Sequence, residues 1–318
     1  MKRIKVKLLE NNINPSLPSY YKDNYILYLL RHIYDVEIVN DNPDILIYPL
    51  SHNGHLNYKC FKIFYTEEPG FWNKNNFFNF YPKNDRFYLS VSDADIVISS
   101  YYINNEKNIR IPSYLLYYYQ MLMDGRIKNI EEFFQYKINT DKNLANRKFC
   151  VYMHRKNSSN DKFFRFKFFQ KLSKYKEVDI CNVNGGSYEK TEFIKSYKFC
   201  FSMENNSNDI ILYPTINNTN KYMDIGYTTE KIIEPFVSNV VPIYWGNPLI
   251  YKEFNTNMFL NWHDYNDDDA LIKEIIKIDN DKELYMKYLN GKILNKDFYD
   301  NFKNDILTKM KKLIDEKI

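Results

Sequence analysis

The stretch Gly226-Tyr-Thr-Thr-Glu-Lys-Ile-Ile-Glu-Pro-Phe-Val-Ser-Asn-Val-Val-Pro-Ile-Tyr-Trp-Gly246 decides how the rest of the chain is read. A glycine turn leads to Thr228 and Thr229, two candidate N-caps whose hydroxyls can accept a bond from an early helical N–H. Ile232, Ile233, Phe236 and Val237 recur on one face of a short amphipathic helix. Pro235 removes the bond to the Lys231 carbonyl, so the helix is either kinked or short. After Ser238-Asn239 the apolar run Val240 to Trp245 has the pattern of a strand buried on both faces of a parallel sheet. A loop, a helix and a central strand follow one another, with Glu230 and Lys231 in the first helical turn. That end of a helix carries free N–H groups and partial positive charge, and it suits a phosphate. An ordinary capped helix on a sheet gives the same local pattern.

On both sides of this stretch, strands alternate with helices or loops. Residues 1–10, Val36 to Val39, Asp44 to Tyr48, Lys62 to Tyr65 and Ala94 to Ser99 read as strands, with helices over Tyr20 to His32 and Tyr114 to Met123. A polar stretch from about Asp124 to Arg147 marks a boundary, and the pattern restarts with a strand at Lys148 to Tyr152. A helix over Lys162 to Tyr175 and strands at Val178 to Ile180 and Phe199 to Met203 follow. The expected fold is α/β, with two Rossmann-like domains facing across a cleft. The spacing assigns residues 1–144 and 145–290 to the two domains and 291–318 to a C-terminal helical segment. Ligands of such sheets bind outside the carboxyl ends of the strands.

Composition narrows the class. Basic and acidic side chains, 44 and 40, are interspersed and give a net charge of +4, which excludes the concentrated basic stripe of a nucleic-acid protein. Cys60, Cys150, Cys181 and Cys200 show no Cys-x-x-Cys spacing and read as buried thiols of a reducing compartment. With no signal-like or membrane-spanning run, the expectation is a cytoplasmic protein. Residues 298–318 form a basic amphipathic helix, with Phe302, Ile306, Met310 and Leu313 on one side. It packs over the domain junction or touches the cytoplasmic face of a membrane.

Tyr227-Thr-Thr-Glu-Lys-Ile-Ile together with Val241-Pro-Ile-Tyr-Trp-Gly-Asn-Pro248 resembles the donor-binding signature of the α1,3/α1,4-fucosyltransferases, glycosyltransferase family 10. The resemblance covers about residues 145–265 and, more loosely, 60–117. It implies a GT-B type fold and inverting transfer of fucose from GDP-fucose to a GlcNAc-containing glycan, in α1,3 or α1,4 linkage. A transferase using another nucleotide sugar, or an inactive glycan- or nucleotide-binding relative, are the alternatives.

Such transfer requires a base for the acceptor hydroxyl and stabilisation of the charge arriving on GDP. Asp93-Ala-Asp95 and Asp267-Asp-Asp269 are weak metal signals without supporting ligands, and the five histidines fall in no zinc spacing, so no obligatory metal or other cofactor is expected. Cations must then hold the diphosphate. Lys231 is one. In the second domain the arginines are Arg147, Arg155 and Arg165, the last arginine of the chain, and an arginine fork matches phosphate. Phe164-Arg-Phe-Lys-Phe-Phe-Gln-Lys-Leu172 resembles the family segment with the pyrophosphate arginine, which selects Arg165 and leaves Arg155 in reserve.

Phe64-Tyr-Thr-Glu-Glu-Pro69 is similar to the family's Tyr-Thr-Gly-Glu-Asn, which places the base on Glu68, with Glu67 as the alternative. Phe201-Ser-Met-Glu-Asn205 resembles the family's Phe-Glu-Asn, so the resemblance puts Glu204 and Asn205 in the donor site with Tyr227 and Glu230. The polar segment between Asn205 and Gly226 is longer than in bacterial relatives, and loops beside a site often read the second substrate. The acceptor and the oligomeric state are not legible.

Overall fold

The computed structural model describes residues 1–9, 24–49, 53–66, 86–103, 105–123, 125, 127–128, 136–137, 144–153, 165–181, 187–204, 226–295 and 298–318. Contacts divide the chain into two units, Met1–Ile127 with Asp224–Tyr227 and Tyr299–Ile318, and Lys128–Met223 with Thr228–Phe298.

The first unit runs β1 (Arg3–Leu8), α1 (Tyr25–Arg31), β2 (Asp35–Ile38), β3 (Ile45–Pro49), β4 (Phe61–Tyr65), α2 (Arg86–Asp93), β5 (Ile96–Ser99), β6 (Asn108–Arg110) and α3 (Ser113–Met123). Its strands form a parallel sheet in the order β2-β1-β3-β4-β5-β6. Strands β3 and β5 are buried along their length, as their unbroken apolar runs predict. The first helix begins at Tyr25, later than expected, because the Asn24 side chain caps it by accepting from the Leu27 N–H at 3.0 Å. Helix α2 and strand β6 are additions to the sequence reading.

The second unit contains β7 (Tyr136–Lys137), β8 (Lys148–Tyr152), α4 (Arg165–Leu172), β9 (Val178–Ile180), α5 (Ser187–Ile194), β10 (Tyr197–Met203), α6 (Glu230–Val237), β11 (Val241–Trp245), β12 (Leu260–Asn261), α7 (Asp268–Asn280), α8 (Lys282–Leu289) and β13 (Gly291–Lys292). Its main sheet is parallel, in the order β12-β11-β10-β8-β9. The chain leaves β8 to one side for β9 and returns to the other for β10. The order therefore reverses between β8 and β10, where a doubly wound sheet opens a crevice at its strand ends. Pro242 sits inside β11, but β12 pairs only with Ile243 and Tyr244, so Pro242 is flanked by β10 alone.

The last helix, α9 (Phe298–Asp315), belongs from Tyr299 onward to the first unit. It buries Tyr299, Ile306, Met310 and Ile314, so its apolar stripe lies one residue from the predicted one at its end, with Leu313 half-buried. Polar contacts fix it there: Lys309 Nζ donates to the Asn108 carbonyl at 2.8 Å and the Tyr34 hydroxyl to Asp315 at 2.7 Å. Among the described residues no helix is long and apolar enough to cross a membrane. Gly226 also belongs to this unit. Its φ of +106° and the Ser100 carbonyl, 2.6 Å from where a Cβ would stand, exclude a side chain. Arg110 holds the turn by donating to the Gly226 carbonyl at 2.9 Å.

Candidate active site

The head of α6 is set by Thr229. Its backbone is extended, and its hydroxyl oxygen accepts from the Lys231 N–H at 3.4 Å. Of the two threonines, Thr229 is therefore the cap, and Thr228 is held from below by Asn247, whose Nδ2 donates to it at 3.2 Å. Pro235 lies inside the helix, which ends at Val237 after eight residues; the Ser238 hydroxyl closes it by donating to the Glu234 carbonyl at 2.8 Å. Pro235 therefore does not shorten the helix, which keeps the full extent of its apolar face from Ile232 to Val237.

Lys231 points its ammonium back along this head. Nζ is 3.1 Å from Glu230 Oε1, 3.3 Å from the Thr229 hydroxyl and 3.8 Å from Glu204 Oε2. Burial opposes its charge, yet the carboxylates of Glu204, Glu230 and Glu234 outweigh burial and raise its pKa. For Glu230 the same balance favours the charged form. Burial disfavours its anion, but the Lys231 charge and bond prevail and its pKa is lowered.

Glu204, just past β10, is buried under the helix head. The Thr229 N–H donates to its Oε1 at 2.7 Å and the Thr229 hydroxyl to its Oε2 at 2.6 Å. Burial pushes its carboxyl from an ordinary 4.5 up to about 7, against the opposing pull of Lys231 and the Thr229 donors. Gly246 leaves the space it needs, because a Cβ there would stand 2.4 Å from Glu204 Cγ and 2.7 Å from the Tyr244 hydroxyl. The Gly246 carbonyl in turn lies 3.0 Å from Nε2 of His263, whose pKa burial lowers, so the ring is neutral near pH 7.

Arg165 opens α4, and its Nη1 approaches the Glu204 carbonyl at 3.5 Å. Arg165 and Lys231 line the same cavity, of about 50 Å³, together with Glu230, Glu234 and Lys190. Tyr152 and Met153 at the end of β8 and Phe201 and Met203 at the end of β10 form its apolar wall. The cavity thus lies where the strand order reverses. Lys190 comes from α5 and is 3.8 Å from Glu234; the sequence reading missed both. Glu234 was within reach of that reading, since it falls one turn after Glu230 on the same helix face.

Tyr227 belongs to the first unit, where it stacks on Tyr101 with ring centroids 6.0 Å apart. Glu67, Glu68, Asn205, Arg155 and the long segment after Asn205 lie outside the described residues. Arg147 donates to the backbone carbonyl of Asn239. The two Asp-x-Asp sequences have structural partners: Asp93 sits 2.6 Å from Lys62 Nζ, and Asp95 accepts the Lys62 N–H at 2.8 Å. Asp267 caps α7 through the Ala270 N–H at 2.8 Å, and Asp268 is 2.9 Å from Lys171. Among the described residues no three His, Cys, Asp or Glu side chains group as a metal site.

The switch point of a parallel sheet is where doubly wound α/β units bind their ligands, and known proteins narrow the reading further. The model of the glycosyltransferase family 10 (fucosyltransferase) C-terminal region matches residues 144–304. An α-(1,3)-fucosyltransferase of Helicobacter pylori is 37% identical over 106 residues, 33% of this chain and 19% of that protein. A protein of Acanthamoeba polyphaga mimivirus with a provisional fucosyltransferase name is 32% identical over 165 residues, 50% of this chain and 26% of that protein. The matches therefore span about a quarter or less of these relatives' length. A crystal structure of an α1,3-fucosyltransferase with GDP-fucose has the same fold: TM-score 0.66 at 21% identity, over 99% of this chain and 91% of the other. The two α/β units are thus of GT-B type, and the chain belongs to glycosyltransferase family 10, the fucosyltransferases.

Proposed function

We propose that the protein transfers L-fucose from GDP-fucose, with inversion, to a hydroxyl of a GlcNAc-containing glycan, in α1,3 or α1,4 linkage. The observation that carries this reading is the shared cavity of Arg165 and Lys231 at the ends of β8 and β10. In this reading the diphosphate lies between the guanidinium and the ammonium, over the head of α6, and its growing negative charge in the transition state meets two fixed cations. Glu230, held at 3.1 Å by Lys231, faces the same cavity and contacts the nucleoside or the sugar. Tyr227 and Asn205 complete the donor contacts, and Glu68, with Glu67 as the alternative, takes the acceptor proton. The first unit holds the acceptor and the second the donor, and the segment after Asn205 reads the acceptor. With two cations on the leaving group, transfer proceeds without an obligatory metal. Four unpaired cysteines, three of them buried, suit the cytoplasm.

The test is calorimetry with GDP-fucose, GDP-mannose and UDP-glucose, followed by transfer assays against a glycan panel. Preference for GDP-fucose is expected, with turnover unaffected by a chelator. Arg165→Ala and Lys231→Ala should each cost about 2–4 kcal/mol of transition-state stabilisation, and Glu68→Gln should abolish transfer while leaving donor affinity intact. Equal affinity for UDP-glucose would make this a transferase of another nucleotide sugar. Binding without turnover on any acceptor would make it a binding protein.

A further inference from the structure

Glu204 is placed unlike a donor ligand. Only 1% of its surface is exposed, and both carboxylate oxygens are turned onto Thr229 at 2.7 and 2.6 Å. Its backbone N–H donates to the Trp245 carbonyl at 2.8 Å, so it joins the ends of β10 and β11 to the head of α6. Among the described residues one cation lies within ion-pair distance, Lys231 at 3.8 Å, and that ammonium is closer to Glu230, at 3.1 Å.

We propose that Glu204 is a positioning residue with two tasks: it braces the head of α6 through Thr229, and beside Glu230 it is a second resident counter-ion of Lys231, taking up a proton when a diphosphate displaces it. This rests on the donor reading given above. Helix α6 presents Lys231, Glu230 and Thr229 to the carboxylate, β11 presents the Tyr244 hydroxyl, and Arg165 of α4 reaches the residue only at its backbone carbonyl. Its charge therefore depends on Lys231. A diphosphate seated on that lysine draws the ammonium away and adds negative charge nearby, and both effects favour the neutral acid. The proton comes from solvent. The brace survives the change, because the acid's carbonyl oxygen still accepts the Thr229 N–H while its own O–H donates to the Thr229 hydroxyl oxygen.

GDP-fucose is the probe. Both of its phosphates are esterified, so it lacks the ionisation near pH 6 of a terminal phosphate. Calorimetric titrations from pH 6 to 8.5, in buffers of different ionisation enthalpy, compare the wild type with Glu204→Gln and Glu204→Ala. Wild-type affinity should fall about tenfold over that range, with net proton uptake near pH 8. Glu204→Gln should bind without pH dependence and about three- to tenfold more tightly than wild type at pH 8, since the competing charge is gone. Glu204→Ala, which also loses the brace, should bind more weakly than wild type at every pH. A Glu204→Gln protein that keeps the wild-type pH profile overturns the counter-ion task and leaves the donor reading standing. A wild type that binds no GDP-fucose at any pH overturns both. The brace is tested without ligand by hydrogen exchange at the Thr229 amide, unchanged in Glu204→Gln and about tenfold or more faster in Glu204→Ala. Equal rates in all three proteins overturn it. Should Glu204→Ala not fold, Thr229→Ala, which removes the hydroxyl bond alone, takes its place with a smaller acceleration.

Discussion

Among the carboxylates buried in the second unit, Asp279 and Glu204 are pushed in opposite directions by their surroundings. Asp279, near the end of α7, receives the Lys198 ammonium at 2.8 Å, the Tyr175 hydroxyl at 3.0 Å and a bond from Lys176. Burial disfavours its anion, but the bonds from Lys176 and Lys198 overcome burial and its pKa falls. Glu204 is as deeply buried, yet its direct donors are the neutral groups of Thr229 and its lysine stands off at 3.8 Å. Burial wins there, and the carboxyl rises to about 7. A carboxylate matched by contact cations closes a structural seam. One left short of charge, next to Lys231, which lines a cavity with Arg165, is the one that an anion bound there would perturb.

The largest effect should come from breaking the satisfied member. Asp279→Ala strands Lys198, whose side chain is only 20% exposed, along with Lys176. Removing one partner of a buried ion pair costs about 3–5 kcal/mol, which urea unfolding would read as a fall in midpoint. Donor binding by the folded fraction should be unchanged. A loss below about 1 kcal/mol would show that the node is no more than a surface pair.

Acid titration separates the two carboxylates by sign. Asp279 is depressed, so its contribution is present above the ordinary carboxyl range and is lost as pH falls through its lowered value. Glu204 is raised, so its contribution is complete below 4.5 and is lost as pH rises through about 7. The span from 4.5 to about 7 corresponds to an upper bound of about 3 kcal/mol. Thermal melts of the free protein should therefore decline between pH 5 and 8. Glu204→Gln should flatten that decline, and Asp279→Asn should change only the acid side. A Glu204→Gln protein that keeps the decline would place its origin in other groups.

The contrast also marks what the sequence can reveal. The helix and strand of residues 226–246 were legible because capping threonines, a one-sided apolar face and an unbroken run from Val240 to Trp245 are local signals. Which threonine caps was not legible: the choice of Thr229 is made by Glu204, 25 positions away. Arg165 was legible through scarcity and family likeness. Lys190 was not, because its helix has a weak pattern and is held by burial of Thr191 and Ile194, with the Thr191 carbonyl accepting the Ser238 hydroxyl at 3.0 Å. The three-residue β6 is too short to show a pattern of its own and is ordered by the sheet beside it, whereas α2 carries an amphipathic pattern that the sequence reading passed over. The family signature pointed to Glu204, but the pairing of its oxygens with Thr229 required coordinates.

A smaller effect comes from crowding Glu204 instead of changing it. At Gly246 an added Cβ would stand 2.4 Å from Glu204 Cγ, in a site closed on its other side by the Tyr244 hydroxyl at 2.7 Å. Overpacking of this kind costs about 1–3 kcal/mol. Gly246→Ala should also speed exchange at the Thr229 amide, because the carboxylate must shift away from it. Loss of stability with that amide still protected would mean that the strain is taken up by Tyr244.

The smallest effect is the most discriminating. Thr229 and Asp281 are both N-caps, the first accepting from Lys231 N and the second from Leu284 N at 2.9 Å. Losing either cap should cost about 1 kcal/mol, so Thr229→Ala and Asp281→Ala should melt alike. Their donor affinities should differ. The Asp281 carboxylate accepts at the head of α8 while its backbone N–H closes α7 at 3.3 Å, whereas the Thr229 hydroxyl is also 2.6 Å from Glu204 and 3.3 Å from the Lys231 ammonium. Thr229→Ala should therefore weaken GDP-fucose binding several-fold, Thr229→Ser should restore it, and Asp281→Ala should leave it untouched. Equal affinities for the two alanine variants would reduce Thr229 to a cap and detach Glu204 from the cavity it adjoins.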